Sequence, residues 1–415
     1  MDNFLRFLNH SPTSYHAVKS GEELLKKSGF QRLDETEKWQ LKKGGSYFVS
    51  REGSLMAFRI PKKPFSEAIV LAAHTDSPGL KLKPHAEYEK DGIKQLALEV
   101  YGGPLLSSWL NRDLGIAGKV LFRDNKGTIR ESLVDLKKHP LIIPQLAIHL
   151  DRKVNDEGLI LNKQEHLNAI WGETRGKESY LLKALKSELP IKELLAHDLY
   201  VYPIEKATTA GFHNELISGY RLDNLASCYP ILQALCQKKE ASKLSIAVLW
   251  DHEEIGSSTA SGAQSPFFSH TLERLFLALN IPREEELRLL ASSLCVSVDL
   301  AHALNPNYPD KYDARHKLAL GGGVVVKTSA QKRYATDVKS TKELFRAAKK
   351  AHLKLNFFTS RNDLPSGTTI GPIHATQTGI PTVDIGIAEL SMHSCRELLA
   401  AEDITSLEKL LFNLL

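Results

Sequence analysis

Residues 244–258 read LSIAVLWDHEEIGSS. Ile246, Ala247, Val248, Leu249 and Trp250 form an apolar, partly β-branched run. It breaks at Asp251, His252, Glu253 and Glu254, with Gly256 close behind. An apolar run bounded by a turn signal predicts a buried strand. Four ionisable residues directly after a core strand need partners, because unpaired buried charge is costly. In an open α/β sheet, ligands bind at the carboxyl ends of the strands. The stretch therefore predicts a strand that delivers carboxylates to a site.

The same pattern recurs on either side. EAIVLAAHTDSPG (residues 67–79) is a second apolar run, ending in His74, Thr75 and Asp76. LCVSVD (residues 294–299) ends in Asp299, and Val324–Val326 and residues 382–387 are further short strands. Helical patterns alternate with them: residues 1–30, Asn224–Leu235 with Pro230 as an irregularity, 271–279, 283–291 and 341–352. Strands alternating with helices predict an α/β fold, a mixed sheet flanked by helices. From residue 85 to 212 the texture changes: strand patterns at 96–100 and 116–122, turn residues, a polar stretch, and a helical pattern over 178–195. This reads as an inserted, strand-rich domain, dividing the other domain into 1–84 and 213–415.

The chain has 415 residues, 42% hydrophobic and 25% charged, with a formal charge of +5. These values are ordinary for a globular protein. No Lys/Arg run exceeds three, so nucleic-acid binding is not indicated. No stretch approaches the roughly 20 apolar residues that span a bilayer, so no membrane association is expected. The four cysteines form no C-x-x-C pair, and the first residues carry no signal-peptide core. A cytoplasmic protein is expected.

Five segments carry metal-capable side chains: His74 with Asp76, Asp223, residues 251–254, Asp299 with His302, and His393. Most follow an apolar run, which would gather them along one sheet edge. Imidazole and carboxylate without thiolate suit zinc, manganese or cobalt. Two ions sharing a carboxylate are the usual arrangement for aminopeptidase-type hydrolysis. Taken singly, each has a plainer explanation: a surface His-x-Asp pair, a helix cap at Asp223, a turn residue at Asp299, a buried hydrogen-bonded His393.

With those motifs placed, the chain resembles the aspartyl aminopeptidase family of dinuclear zinc metallopeptidases. The matching stretches include AAHTDSPGLKLKP, YGGPLLSSWLNRDLGIAGKV, PQLAIHL, RLDNLAS, DHEEIGSSTASGA, SVDLAHALNPNY, SRNDLPSGTTIGPI and SMHSCRE. They fall in order from about residue 70 to residue 400. The resemblance implies a zinc-peptidase-like catalytic domain with an inserted dimerisation domain. It implies two divalent ions, Zn2+ or else Mn2+ or Co2+, held by His74, Asp223, Glu254, Asp299 and His393, with Asp223 bridging. Glu253 would be the general base and Asp76 the residue orienting His74. Lys327, in GGGVVVK, would face an acidic substrate side chain. His149 would reach a neighbouring subunit's active site. His302 would lie near the substrate, and Gly367 and Thr368 would line the cleft; as a plain loop, SRNDLPSGTTIGP is equally a structural turn. The implied activity is hydrolysis of the first peptide bond of peptides beginning with Asp or Glu, in a self-associated form, a dodecamer built from dimers. One point follows from geometry alone: adjacent residues on extended chain point opposite ways, so Glu253 and Glu254 should not coordinate alike, and His252 should turn away.

Two rivals stand beside this reading. One is a dinuclear hydrolase on the same fold with neutral or leucine preference, or a deacylase. The other is a non-catalytic assembly protein, which the complete donor and base set argues against.

Overall fold

The computed structural model describes residues 1–415. Its central sheet has nine strands. In spatial order they are Gln31–Arg32, Ser46–Arg51, Ser54–Arg59, Leu244–Trp250, Ala68–His74, Leu294–Val298, Thr382–Gly386, Val325–Lys327 and Asn356–Phe358. The four strands from Leu244–Trp250 to Thr382–Gly386 run parallel, and antiparallel pairs flank them, so the sheet is mixed. Leu244–Trp250 and Ala68–His74 are buried along their whole length. This is why both read as continuous apolar runs rather than alternating ones. Their register sets Trp250 opposite His74 and Leu71 opposite Val296. Asp299 and the residues after Trp250 therefore reach the same carboxyl edge as His74.

One sheet face packs on Asp2–Asn9, Ser14–Lys27, Leu222–Gln237 and Ala401–Leu414. The other packs on Phe267–Ala278, Arg283–Ser292 and Gly371–Thr378. Leu222–Gln237 begins irregularly, at Asp223 and Asn224, while Pro230 lies inside the continuous part. The Asp223–Asn224 peptide is cis.

Residues 79–203 build a second, six-stranded antiparallel sheet with its own apolar core. Its strand Gly79–Lys90 continues from the His74 loop, ahead of the composition change at residue 85. The helix expected over 178–195 is shorter, Tyr180–Glu188, and the strand Ile191–Pro203 starts directly after it. Pro190 explains the difference: it cannot continue a helix and pushes Leu189 to an extended conformation. A third sheet of five short strands, including Leu216–Gly219, Ala388–Leu390 and Glu397–Ala400, lies beside the ligand loops. No helix is long and apolar enough to cross a membrane.

Trp250, the last residue of the central strand, donates its indole N–H to Nε2 of buried His374 (2.8 Å). That bond needs a neutral imidazole, and burial lowers the His374 pKa from 6.5 to about 4. The unfolded chain takes up this proton below 6.5 and the folded chain does not, so stability is lost as pH falls from 6.5 to about 4. His374→Gln keeps an acceptor but cannot titrate. Thermal unfolding over that pH range should show a shallower acid slope in the variant, with roughly 3 kcal/mol at stake in the wild type.

Candidate metal centre

Five donors converge at the carboxyl edge of the central sheet. His74 ends its strand, Asp299 follows Leu294–Val298, and Glu254 lies in a short 3-10 turn after Trp250. Asp223 sits at the irregular start of its helix, and His393 in the turn between the strands Ala388–Leu390 and Glu397–Ala400. Nε2 of His74 stands 3.4 Å from Oδ1 of Asp223 and 3.7 Å from Oδ1 of Asp299. Nε2 of His393 stands 3.4 Å from the other Asp223 oxygen, Oδ2, and 3.4 Å from Oε1 of Glu254. Asp223 thus offers one oxygen to each of two donor sets.

These separations are long for hydrogen bonds. A tetrahedral site with bonds of roughly 2.0–2.2 Å has ligand–ligand edges of about 3.3–3.6 Å, which matches. Oδ1 of Asp223 is buried and has no hydrogen-bond partner. Donor atoms of His74, Asp223 and Glu254 all lie within 4.8 Å of one another. The residues fit a divalent metal.

The imidazoles are aimed by their other nitrogens. Nδ1–H of His74 donates to the Asp76 carbonyl (3.0 Å), and Nδ1–H of His393 to the Gly103 carbonyl (3.0 Å). Each leaves Nε2 free to bind, the usual outer arrangement of a metal-bound histidine. Asp76 holds more than His74. Its carboxylate accepts the Glu253 N–H (3.1 Å), the Glu254 N–H (3.2 Å) and the Tyr101 hydroxyl (2.7 Å). Tyr101 belongs to the second sheet, so that sheet fixes the site. Glu397 accepts the backbone N–H of Asp223 (3.1 Å) and of His393 (2.7 Å).

The charges are out of balance without a cation. Burial works against a charged His74, yet Asp223, Asp299 and Asp76 hold its pKa well above the ordinary value. Burial also opposes ionised Asp223, but His393 and His74 keep it well below the usual range. Burial and Asp223 push Glu254 far up, and burial raises Glu253 to about 8. Acids this close resist ionising together unless positive charge joins them.

Not every sequence-predicted residue lies here. Asp251 is turned away and buried: a side chain at Gly53 would overlap its carboxylate, 2.1 Å from Oδ2. His252 also points away, its Nδ1 beside Thr259 (2.9 Å) and Ser261 (3.2 Å). Alternation between Glu253 and Glu254 requires extended chain. The chain instead enters a left-handed conformation at His252 and then a 3-10 turn, so turn geometry, not strand alternation, sets their directions. Lys327 is buried, with Nζ 3.4 Å from Oδ2 of Asp299. His302 packs edge-on to Phe358 (6.1 Å) and, with Gly367, lines an adjoining cavity of about 230 Å³. The Thr368 hydroxyl donates to the Arg333 carbonyl (3.0 Å). His149 is on an exposed turn of the second domain's long loop, outside this chain's own donor cluster. Tyr101 and Glu397 went unnoticed in the sequence as site residues. Both stand inside the distinctive stretches YGGP and SMHSCRE, but nothing in their spacing marks a role.

Residues 7–414 match the family model described as "Aminopeptidase I zinc metalloprotease (M18)". The chain belongs to the M18 family of zinc aminopeptidases. It is 43% identical, over 97% of its length and 94% of the relative's, to a probable M18 family aminopeptidase 2 of Streptomyces avermitilis. The crystal structure of an M18 aminopeptidase from Thermotoga maritima aligns with a TM-score of 0.87 at 25% identity, covering 100% of this chain and 95% of that one. The S. cerevisiae mApe1 dodecamer aligns at 0.85 and 29% identity, covering 99% and 95%. The M18 fold accounts for the mixed sheet and helices described above.

If Asp76 orients both His74 and the Glu253–Glu254 turn, Asp76→Ala should cost about 10- to 100-fold in metal retention or kcat/KM. Metal content after dialysis against a weak chelator, measured beside activity, checks this.

Proposed function

We propose that this M18 aminopeptidase removes N-terminal Asp or Glu from peptides with two divalent ions, zinc before manganese or cobalt. His74, Asp223 and Asp299 would hold one ion, and His393, Asp223 and Glu254 the other. Bound there, the ions would polarise the scissile carbonyl and acidify a water. Glu253 takes the proton of the attacking water and returns it to the leaving amine. Asp76 keeps His74 and the Glu253 turn in place, and His302 and Gly367 wall the cleft, with Thr368 beside it.

Lys327 carries the acidic preference. It is 3% exposed, and although burial opposes its charge, Asp299 keeps the ammonium protonated. A buried cation at the edge of the donor cluster pairs with a substrate carboxylate. The Lys327–Asp299 contact favours a second reading, neutral or leucine preference, in which that pair already satisfies the lysine.

Self-association belongs to the same reading. Leu146, Ile148, Leu150 and Ile160 are 59%, 46%, 75% and 86% exposed around His149. Such an apolar patch suits burial against a second copy. It supports the inserted segment as the dimerisation domain, a neighbouring copy's His149 reaching the cleft, and assembly of dimers into a dodecamer. Four free thiols suit a cytoplasmic location.

Chelator-stripped protein reloaded with zinc, manganese or cobalt should cleave Asp- and Glu-initiated substrates, and leave Leu-, Lys- and N-acetyl-Asp-initiated ones largely intact. Cleavage of Leu instead would discard the acidic pocket and keep the metal site. Lys327→Leu should erase the Asp-over-Leu selectivity; if the selectivity survives, Lys327 does not supply it. Glu253→Gln should lose about 10²- to 10⁴-fold in kcat with metal content unchanged.

A further inference from the structure

Arg221 is 4% exposed, forms no salt bridge, and has an Nε with no hydrogen-bond partner. Its Nη2 donates to the Thr75 carbonyl, between His74 and Asp76 in sequence. Arginine stays protonated in proteins, so its charge persists here. A buried charge without a counter-ion is costly, and breaking or omitting a partner is penalised strongly.

Arg221 lines a cavity of about 90 Å³ between the end of the first helix and the end of the strand Ile191–Pro203. Ser11, Lys137, Tyr202, Glu205 and Lys206 share the wall. Lys206, like Arg221, has no carboxylate partner. Lys137 pairs with Asp135 (2.6 Å), which also accepts the Tyr202 hydroxyl. Glu205 is occupied by Arg112 (3.2 Å) and Arg396 (3.5 Å). Three cations, Arg221, Lys137 and Lys206, thus line the space with one carboxylate, Glu205. Asp76 and Asp251 lie on the far side of Arg221, along a separate, smaller cavity that it also lines. They form no ion pair with it.

We propose that this cavity binds a small tetrahedral oxyanion, such as inorganic phosphate, through Arg221, Lys137 and Lys206. The volume exceeds several times the roughly 10–15 Å³ that one water needs, so four oxygens have room. Arginine and lysine are the usual partners of such oxygens. Hydroxyls of Ser11 and Tyr202 offer further polar contacts. Because Arg221 holds the Thr75 carbonyl and lies two residues before Asp223, an anion here steadies two of the ligand loops. The site is separate from the donor cluster and does not depend on the substrate proposed above.

The test is calorimetric titration of inorganic phosphate into the metal-loaded full chain, beside the double variant Lys137→Gln/Lys206→Gln. Neither lysine touches the donor cluster, so activity without phosphate should be unchanged in the variant. Wild type should show saturable binding of one phosphate per chain, weakened about tenfold or more in the variant. Absence of saturable binding, or a smaller weakening (as when phosphate goes to the metals instead), overturns the proposal. Substrate selectivity is read separately, so its failure cannot be confused with this one.

Discussion

Everything at this site depends on one carboxylate with two faces. Asp223 turns Oδ1 toward His74 and Oδ2 toward His393 at the same 3.4 Å. A helix interior could not place it so, because backbone hydrogen bonds there fix the chain direction. The residue stands instead at a start where Asp223 and Asn224 leave helical geometry. Glu397 then pins its N–H, and Asn224 is tied by its side chain to the Val298 carbonyl (2.9 Å). Local irregularity is held by buried polar contacts on both sides.

Around that carboxylate, three sheets each supply a different constraint. The central sheet brings His74, Asp299 and the Glu253–Glu254 turn to one edge through parallel register. The second sheet reaches in with Tyr101 and the Gly103 carbonyl, fixing Asp76 and His393. The third places His393 and Glu397 together across a strand turn. The outcome is a dense cluster of buried acids that two imidazoles and one ammonium do not neutralise. Such a cluster is tolerable where dications bind, and it explains why Glu253 and Glu254 are both driven upward without them. Lys327 belongs to this balance as well: it sits beside Asp299, so a change there alters the charge around one of the donors.

How far the sequence reached follows from which interactions are local. Buried parallel strands are apolar throughout, so Ala68–His74, Leu244–Trp250 and Leu294–Val298 announce themselves, and so do the polar residues that end them. The five donors were legible because each follows such a run or sits in a distinctive short motif. Tyr101, Glu397 and Arg221 were not, since each acts through a partner outside its own motif: Asp76, the Asp223 backbone, the Thr75 carbonyl. The same holds for Asp251, whereas His252 was expected to turn away and does. Both share the strand-end signal with Glu253 and Glu254, and the left-handed conformation at His252 is where the chain parts the two pairs.

The α/β class, the mixed sheet, the carboxyl edge where the donors gather and the donor types that suit zinc can all be read from the chain, because hydrophobic period and side-chain chemistry are written residue by residue. Which oxygen of Asp223 meets which histidine, which acids stay outside, and that a separate sheet steers the imidazoles emerge only in the folded chain. Those depend on register between strands and on contacts between segments more than a hundred residues apart, and no local pattern encodes either.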